Sequence, residues 1–317
     1  MDSRQGGGAV TIGIGTITTG ELHGPARKPS LHGISLRRRM KDRAAALLVI
    51  LAFAVAMVPL VWLLATVVTR GYRAVIHSNW WTHSLHGLLA SDFGGGVYHA
   101  IYGTLVQALV CALVAVPVGI FCAIYLVEYG RGRPAKLVTF MVDILSGVPS
   151  IVAALFIYAL WISTAGLQQA AFPVSLALML LMLPIVVRAT EEMLRLVPQG
   201  LREASYALGI PQWKTIVRIV LPTALPGIVN GVMLALARVM GETAPVLVLV
   251  GYTKDINFNI FNGNMTTLPL LIYNQFTNPT PAGQLRIWGA ALTLIILVMA
   301  FNLVAALISR FSAIKTK

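Results

Sequence analysis

Arg238 and Glu242 stand four residues apart within the otherwise apolar stretch ALARVMGETAPVL, residues 235–247. Positions i and i+4 share a helix face, so this guanidinium and carboxylate can neutralise each other, face a polar pathway, or do both. An arginine near the centre of a bilayer costs about 2.5–3.5 kcal/mol on insertion scales. Charge placed there is therefore a functional candidate before it is a structural one. Arg before Glu is also the poorer order for a helix-stabilising pair. Chemically, the planar guanidinium offers a two-point fork to an oxyanion.

The other reactive side chains assemble no comparable centre. HSNWWTHSLH, residues 77–86, holds His77, His83 and His86, an incomplete ligand set; Trp80 and Trp81 there read as interfacial anchors. Cys111 and Cys122 lie about 16 Å apart along one predicted helix, too far to bridge, and read as packing residues. Asp143 reads as a capping or helix-packing acid, Glu128 as an interface residue, and Glu191 and Glu192 as solvated loop residues. No GxxxxGK[ST] phosphate loop is present. HExxH, Ser-Lys and clustered acids are missing too, which speaks against an intramembrane enzyme.

The elements that must position Arg238 and Glu242 are membrane spans. The chain of 317 residues is 57% hydrophobic and only 11% charged, with mean hydropathy +0.79. Several runs reach the ~20 apolar residues that cross a bilayer as helix. Six spans are expected, near 44–69, 101–127, 137–161, 173–187, 225–250 and 287–309. With these spans, 19 of the 24 Lys and Arg fall on one side and four on the other. The positive-inside rule then places both termini in the cytoplasm. The net charge of +13 is thereby a topology signal and a contact with anionic lipid, and nucleic acid is not needed to account for it. Residues 1–43, rich in Gly, Thr, Pro and basic residues, read as a disordered cytoplasmic tail. Residues 44–317 are the six-span domain. Pro149 and Gly147 predict a kink in span three. Gly227 and Gly231 form a GxxxG pair, and Ala235, Ala237 and Gly241 keep span five slim. The apolar part of the polar loop 251–286 is expected either to re-enter the membrane edge or to cap the outer mouth.

Between spans four and five, residues 188–222 form the longest inner loop, and EASYALGIPQWKTIVRIVLP (203–222) reads as a helix–turn–helix. Pro198 suits a first helical turn and Glu203 an early one. Leu201, Ala204 and Leu208 share a face. Gly209 fits a left-handed C-terminal cap. Pro211 opens a second short helix that Pro222 ends.

Glu203-Ala204-Ser205, Gly209 and Ile219-Val220-Leu221-Pro222 resemble the EAA loop of bacterial ABC importer permeases. The one departure is Ser205 in place of the second alanine. The resemblance implies a type I ABC importer permease architecture, in which Glu203, Ala204, Gly209, Leu221 and Pro222 belong to a coupling helix docked in a groove of a cytoplasmic ATPase. Arg238-x-x-Gly241-Glu242-Thr243-Ala244-Pro245, together with MTTLPLLIYNQ (265–275) and DILSGVPSIV (143–152), is similar to the phosphate-specific branch of that family, and most to its second permease subunit. The resemblance covers about residues 97–309. It implies a permease of an ATP-driven phosphate importer in the bacterial inner membrane. Its expected partners are a homologous second permease, an ATPase dimer and an extracytoplasmic phosphate-binding protein. ATP and Mg would be held by the ATPase, and no cofactor is expected in this chain. In that setting Arg238 and Glu242 would line the substrate pathway, with Glu242 accepting a hydrogen bond from the phosphate OH. A permease for another oxyanion or small solute is the alternative.

Overall fold

The computed structural model describes residues 36–312, and among these every regular element is helical. The described residues divide between Leu60 and Val61 into two compact units. The described part of the first is the leading portion of α1, a single helix from Leu36 to Val75. Leu47, Val49 and Phe53 are exposed on it, as suits a span sheathed by lipid. The expected tail lies outside the described residues as far as position 35. Its last part is not tail-like: Leu36–Arg43 is already helical, because Leu, Arg, Met and Lys are good helix formers. Arg4, Arg27, Lys28, Lys315 and Lys317, which contribute to the topology argument, also lie outside the described residues.

In the second unit α2 (Ser78–Thr82) leads to α3 (Tyr98–Ile124), which widens into a π-helical turn at Tyr125–Tyr129. α4 (Gly132–Gly147) and α5 (Ser150–Tyr158) follow, with a second π segment at Ala159–Thr164. These two helices occupy the place of span three but meet at 102°. The bend is a full break, sharper than the expected kink. Pro149 has no N–H for the helix ladder and holds Val148 before it in an extended conformation (φ −70°, ψ 124°). Among the described residues five helices are long and apolar enough to cross a membrane, six if this broken pair makes one crossing.

α6 (Ala171–Leu196) is the central helix, with 61% of its most apolar window buried, a share no other candidate span approaches. α3 and α9 (Leu221–Met240) both pack along it, and they also touch each other. Ala108, Ala115, Ala177 and Ala235 fill the centre beside Met182 and Leu236. Such small residues let helices approach closely where no water exists to drive apolar association. The GxxxG pair does this work: a Cβ at Gly231 would overlap Ala189, and one at Gly227 would overlap Met193, both on α6. α10 (Ala244–Leu249), α11 (Leu268–Phe276) and α12 (Pro281–Ser312) complete the unit.

Three expectations change here. Trp80 is an interior residue rather than an anchor: it is buried and donates its indole N–H to Thr293 Oγ1 at 2.9 Å. The apolar part of the 251–286 loop forms α11, whose Leu268, Leu270 and Leu271 are buried against α3 and α12. Glu191 and Glu192 sit inside α6, because that helix outruns its apolar stretch by more than two turns.

Candidate functional site

The helix–turn–helix is present as α7 (Gln199–Ala207) and α8 (Gln212–Thr215). Gly209 takes φ +72°, its N–H bonds Tyr206 O at 2.9 Å, and Ile210 N–H bonds Ser205 O at 3.2 Å. That is a Schellman ending, in which a residue without Cβ reverses the chain cheaply. Pro222 does not end the second helix. α8 runs through a π-helical turn (Ile216–Val220) into α9, where Pro222 sits in the first turn. A proline inside a helix lacks its N–H and crowds the carbonyl four residues back; a widened turn at that point relieves both faults.

The faces of α7 are the reverse of an ordinary amphipathic helix. Leu201, Ala204 and Leu208, the predicted apolar face, are all exposed, as is Glu203, and Leu208 is 79% exposed. The buried face carries Arg202 and Ser205. Ser205 Oγ and Thr215 Oγ1 bond at 2.7 Å and lock α7 to α8. Arg202 Nε and one terminal nitrogen reach Glu128 Oε1 at 3.2 and 2.9 Å; the side chains are 8% and 5% exposed. The same guanidinium donates to Val197 O at 2.7 Å and Leu194 O at 2.9 Å. Gln212 Nε2 donates to Glu128 O at 2.8 Å. Leu221 and Pro222 are half-buried at the start of α9 and stand apart from the exposed face.

Arg238 and Glu242 flank a discontinuity rather than the middle of a continuous span. α9 stops at Met240, and α10 begins only at Ala244. Glu242 lies in the break. Its carboxylate is 4.0 Å from Arg238 Nε, at the limit of an ion pair, with side-chain exposures of 19% and 67%. Glu242 faces inward with Thr104, Gln107 and Thr267 around a cavity of about 10 Å³, room for one water at most. An oxyanion does not fit there, so only the exposed Arg238 side is open to one. Segment 265–275 reaches this break through Thr267, which lines the cavity; α5, which begins within segment 143–152, packs on α10 just beyond it.

Residues 115–316 match the family described as binding-protein-dependent transport system inner membrane component. The chain belongs to this family of permeases.

Among its relatives, the chain is 64% identical over 285 residues to the phosphate transport system permease protein PstA of Mycobacterium leprae, covering 90% of this chain and 94% of that one. It is 62% identical over 296 residues to PstA 1 of Mycobacterium tuberculosis (93% and 97%). To PstA of Xylella fastidiosa it is 42% identical over 211 residues (66% and 73%). Among solved structures it is similar to the inward-facing MetNI methionine ABC transporter (TM-score 0.53, 21% identical, 68% of this chain and 94% of that one). It is also similar to a bacterial alginate ABC transporter in complex with its pentasaccharide-bound periplasmic protein (TM-score 0.62, 15% identical, 88% and 98%). The shared feature is the type I importer permease fold, as expected. Membership also implies a motor ATPase and a binding protein as partners.

Within this permease, Arg202, Glu128 and Glu191 carry more than the sequence suggested. Arg202 reads as one of several loop cations, yet it is buried and fully bonded. Glu191 accepts from Arg188 at 2.8 Å and Arg195 at 2.7 Å and is not solvated, because both arginines lie within one helical turn of it. Arg188 also pairs with Asp143 across to α4, which gives that acid a helix-packing role. Arg202 and Ser205 at i and i+3, between exposed apolar residues, are the one local hint of an inverted face. Nothing in the sequence pairs Arg202 with Glu128.

Proposed function

We propose that this chain forms half of the translocation pathway of an ATP-driven phosphate importer and takes up the motor's movement through α7 and α8. The observation that carries this is the inverted hinge. Leu201, Ala204 and Leu208 stand in the open at the tip of a rigid, capped turn, and contiguous exposed apolar surface marks a protein contact. A short helix laid in a hydrophobic groove is a recurrent docking mode. The missing phosphate loop assigns nucleotide and Mg to the protein that supplies that groove. The basic-residue asymmetry puts the hinge and both termini in the cytoplasm.

Arg238 supports an anion as cargo. An exposed guanidinium on a membrane helix is unfavourable against hydrocarbon, so a polar path or a polar partner surface covers it. A homologous second permease supplies the other wall. Phosphate itself is favoured by the names of the relatives.

The test is reconstitution of the chain with a second permease, an ATPase and a phosphate-binding protein in liposomes. The expected result is ATP-dependent uptake of labelled phosphate but not sulfate. Uptake of sulfate alone identifies another oxyanion permease, and uptake without ATP identifies a channel. An impermeant maleimide should label Phe258→Cys, but not Tyr206→Cys, from outside intact cells; the opposite pattern reverses the orientation.

A further inference from the structure

We propose that Arg202 and Glu128 are positioning residues for coupling: their buried ion pair joins the hinge to the end of α3, so that the two helices move as one body. This rests on the reading of α7 and α8 as the docking hinge. Docking alone explains the exposed face of α7. It leaves the buried face unexplained, and that face is built from a charge.

Arg202 holds three elements together. Two of its nitrogens fork onto Glu128 Oε1, in the π turn that ends α3. One of these two, the terminal nitrogen, also donates to Leu194 O, and the third nitrogen donates to Val197 O, carbonyls at the C-terminus of α6. Leu194 O otherwise holds the capping Val197 N–H at 3.3 Å, and Val197 O lies just past the last turn of the helix; a guanidinium there bonds both and complements the helix dipole. Gln212 approaches Glu128 from the other limb of the hinge and bonds its backbone carbonyl at 2.8 Å. Glu128 is thus gripped by α7 through its side chain and by α8 through its main chain. Ser205 and Thr215 close the loop between the limbs.

An apolar pair would hold the hinge against the bundle equally well, since a buried ion pair is weak evidence for stability. What it adds is direction. A planar guanidinium bonded at once to Glu128 Oε1, Leu194 O and Val197 O resists rotation as well as separation, whereas apolar contacts slide. α9, the other outlet from the hinge, needs no such joint because α8 runs into it covalently. Motion entering at α7 therefore has two outlets, one through the main chain to α9 and Arg238, the other through Arg202 to α3. α3 carries Thr104 and Gln107, which line the same cavity as Glu242. The two outlets thus reach the same discontinuity.

The test uses the whole transporter in liposomes with Glu128→Gln, which keeps the shape and an acceptor oxygen but removes the charge. Arg202→Lys is the second variant; it keeps the charge and loses the fork. Two readouts are taken: phosphate moved per ATP hydrolysed, and the distance between spin labels at positions 129 and 206 with and without vanadate trapping. Wild type should keep one narrow label distance through the cycle. Each variant should assemble and hydrolyse ATP in response to the binding protein, yet move about fivefold less phosphate per ATP or worse, with a broadened distance after trapping. Wild-type phosphate per ATP with an unchanged distance in either assembled variant overturns the proposal. Failure of both variants to assemble also overturns it, since the pair is then a folding requirement alone. If the wild-type complex itself shows no ATP-driven phosphate uptake, it is the functional reading that fails, and the label distances still report whether hinge and α3 move together.

Discussion

Leu208 tests the inverted hinge most directly. It sits at the C-terminal cap of α7 and is 79% exposed. Fully burying a leucine is worth about 1.5–3 kcal/mol relative to leaving it in water. If a partner's groove covers nearly all that remains open, the residue contributes about 1–2 kcal/mol to docking, or roughly 5–30-fold in affinity. Leu208→Ala removes most of that. It should leave the fold alone, because a truncated side chain that touches little loses little; a surface change of this kind stays within about 0.5 kcal/mol. The assay is titration of the purified permease with the ATPase subunit, alongside thermal unfolding of the permease alone. Affinity should fall by roughly 5–30-fold with the unfolding temperature unmoved. A lowered unfolding temperature with unchanged affinity would refute the reasoning, for it would make Leu208 a packing residue and leave the hinge no exposed docking face.

Three further outcomes follow from the same geometry. Arg238→Ala should cut ATP-driven phosphate uptake by roughly 10–100-fold, the loss of one charge-assisted bond of about 1.5–3 kcal/mol, at equal expression and stability; normal uptake in liposomes removes Arg238 from the pathway. Gly231→Leu should destabilise by about 1–3 kcal/mol or prevent assembly, because its side chain meets Ala189 on α6; a paired Ala189→Gly should recover part of the loss in denaturation midpoint. Glu191→Gln should destabilise by about 1–3 kcal/mol, less than for a fully buried pair because Arg188 and Arg195 can turn to solvent. Asp143→Asn, 58% exposed, should cost under about 1 kcal/mol, and equal losses for the two would contradict the burial seen here.

The span pattern, the helix-turn-helix with its glycine and the i, i+4 spacing of Arg238 and Glu242 are legible in the sequence, because each depends on neighbours in the chain. Hydropathy over twenty residues decides membrane crossing, and a residue without Cβ at position 209 decides where α7 can reverse. Small residues at 227 and 231 announce a close helix contact without naming the helix that makes it. Local features misled where context changed their meaning: Pro222 lies in a continuing helix because a π turn accommodates it, and Trp80 is interior because α12 offers Thr293 as a partner for its indole.

What stayed hidden was every relation that joins distant segments. Hydropathy cannot tell that the polar side of α7 faces inward, since an exposed leucine and a buried one are the same letter. The Arg202–Glu128 pair spans 74 residues, and its existence depends on where α3, α6 and α7 end relative to one another. Glu242 lies in a break, with Arg238 exposed beside it, because α9 ends at Met240 and α10, packed on α5 and α6, begins only at Ala244. Periodicity reports a residue's position around its own helix axis; which neighbour waits there is settled when the helices pack.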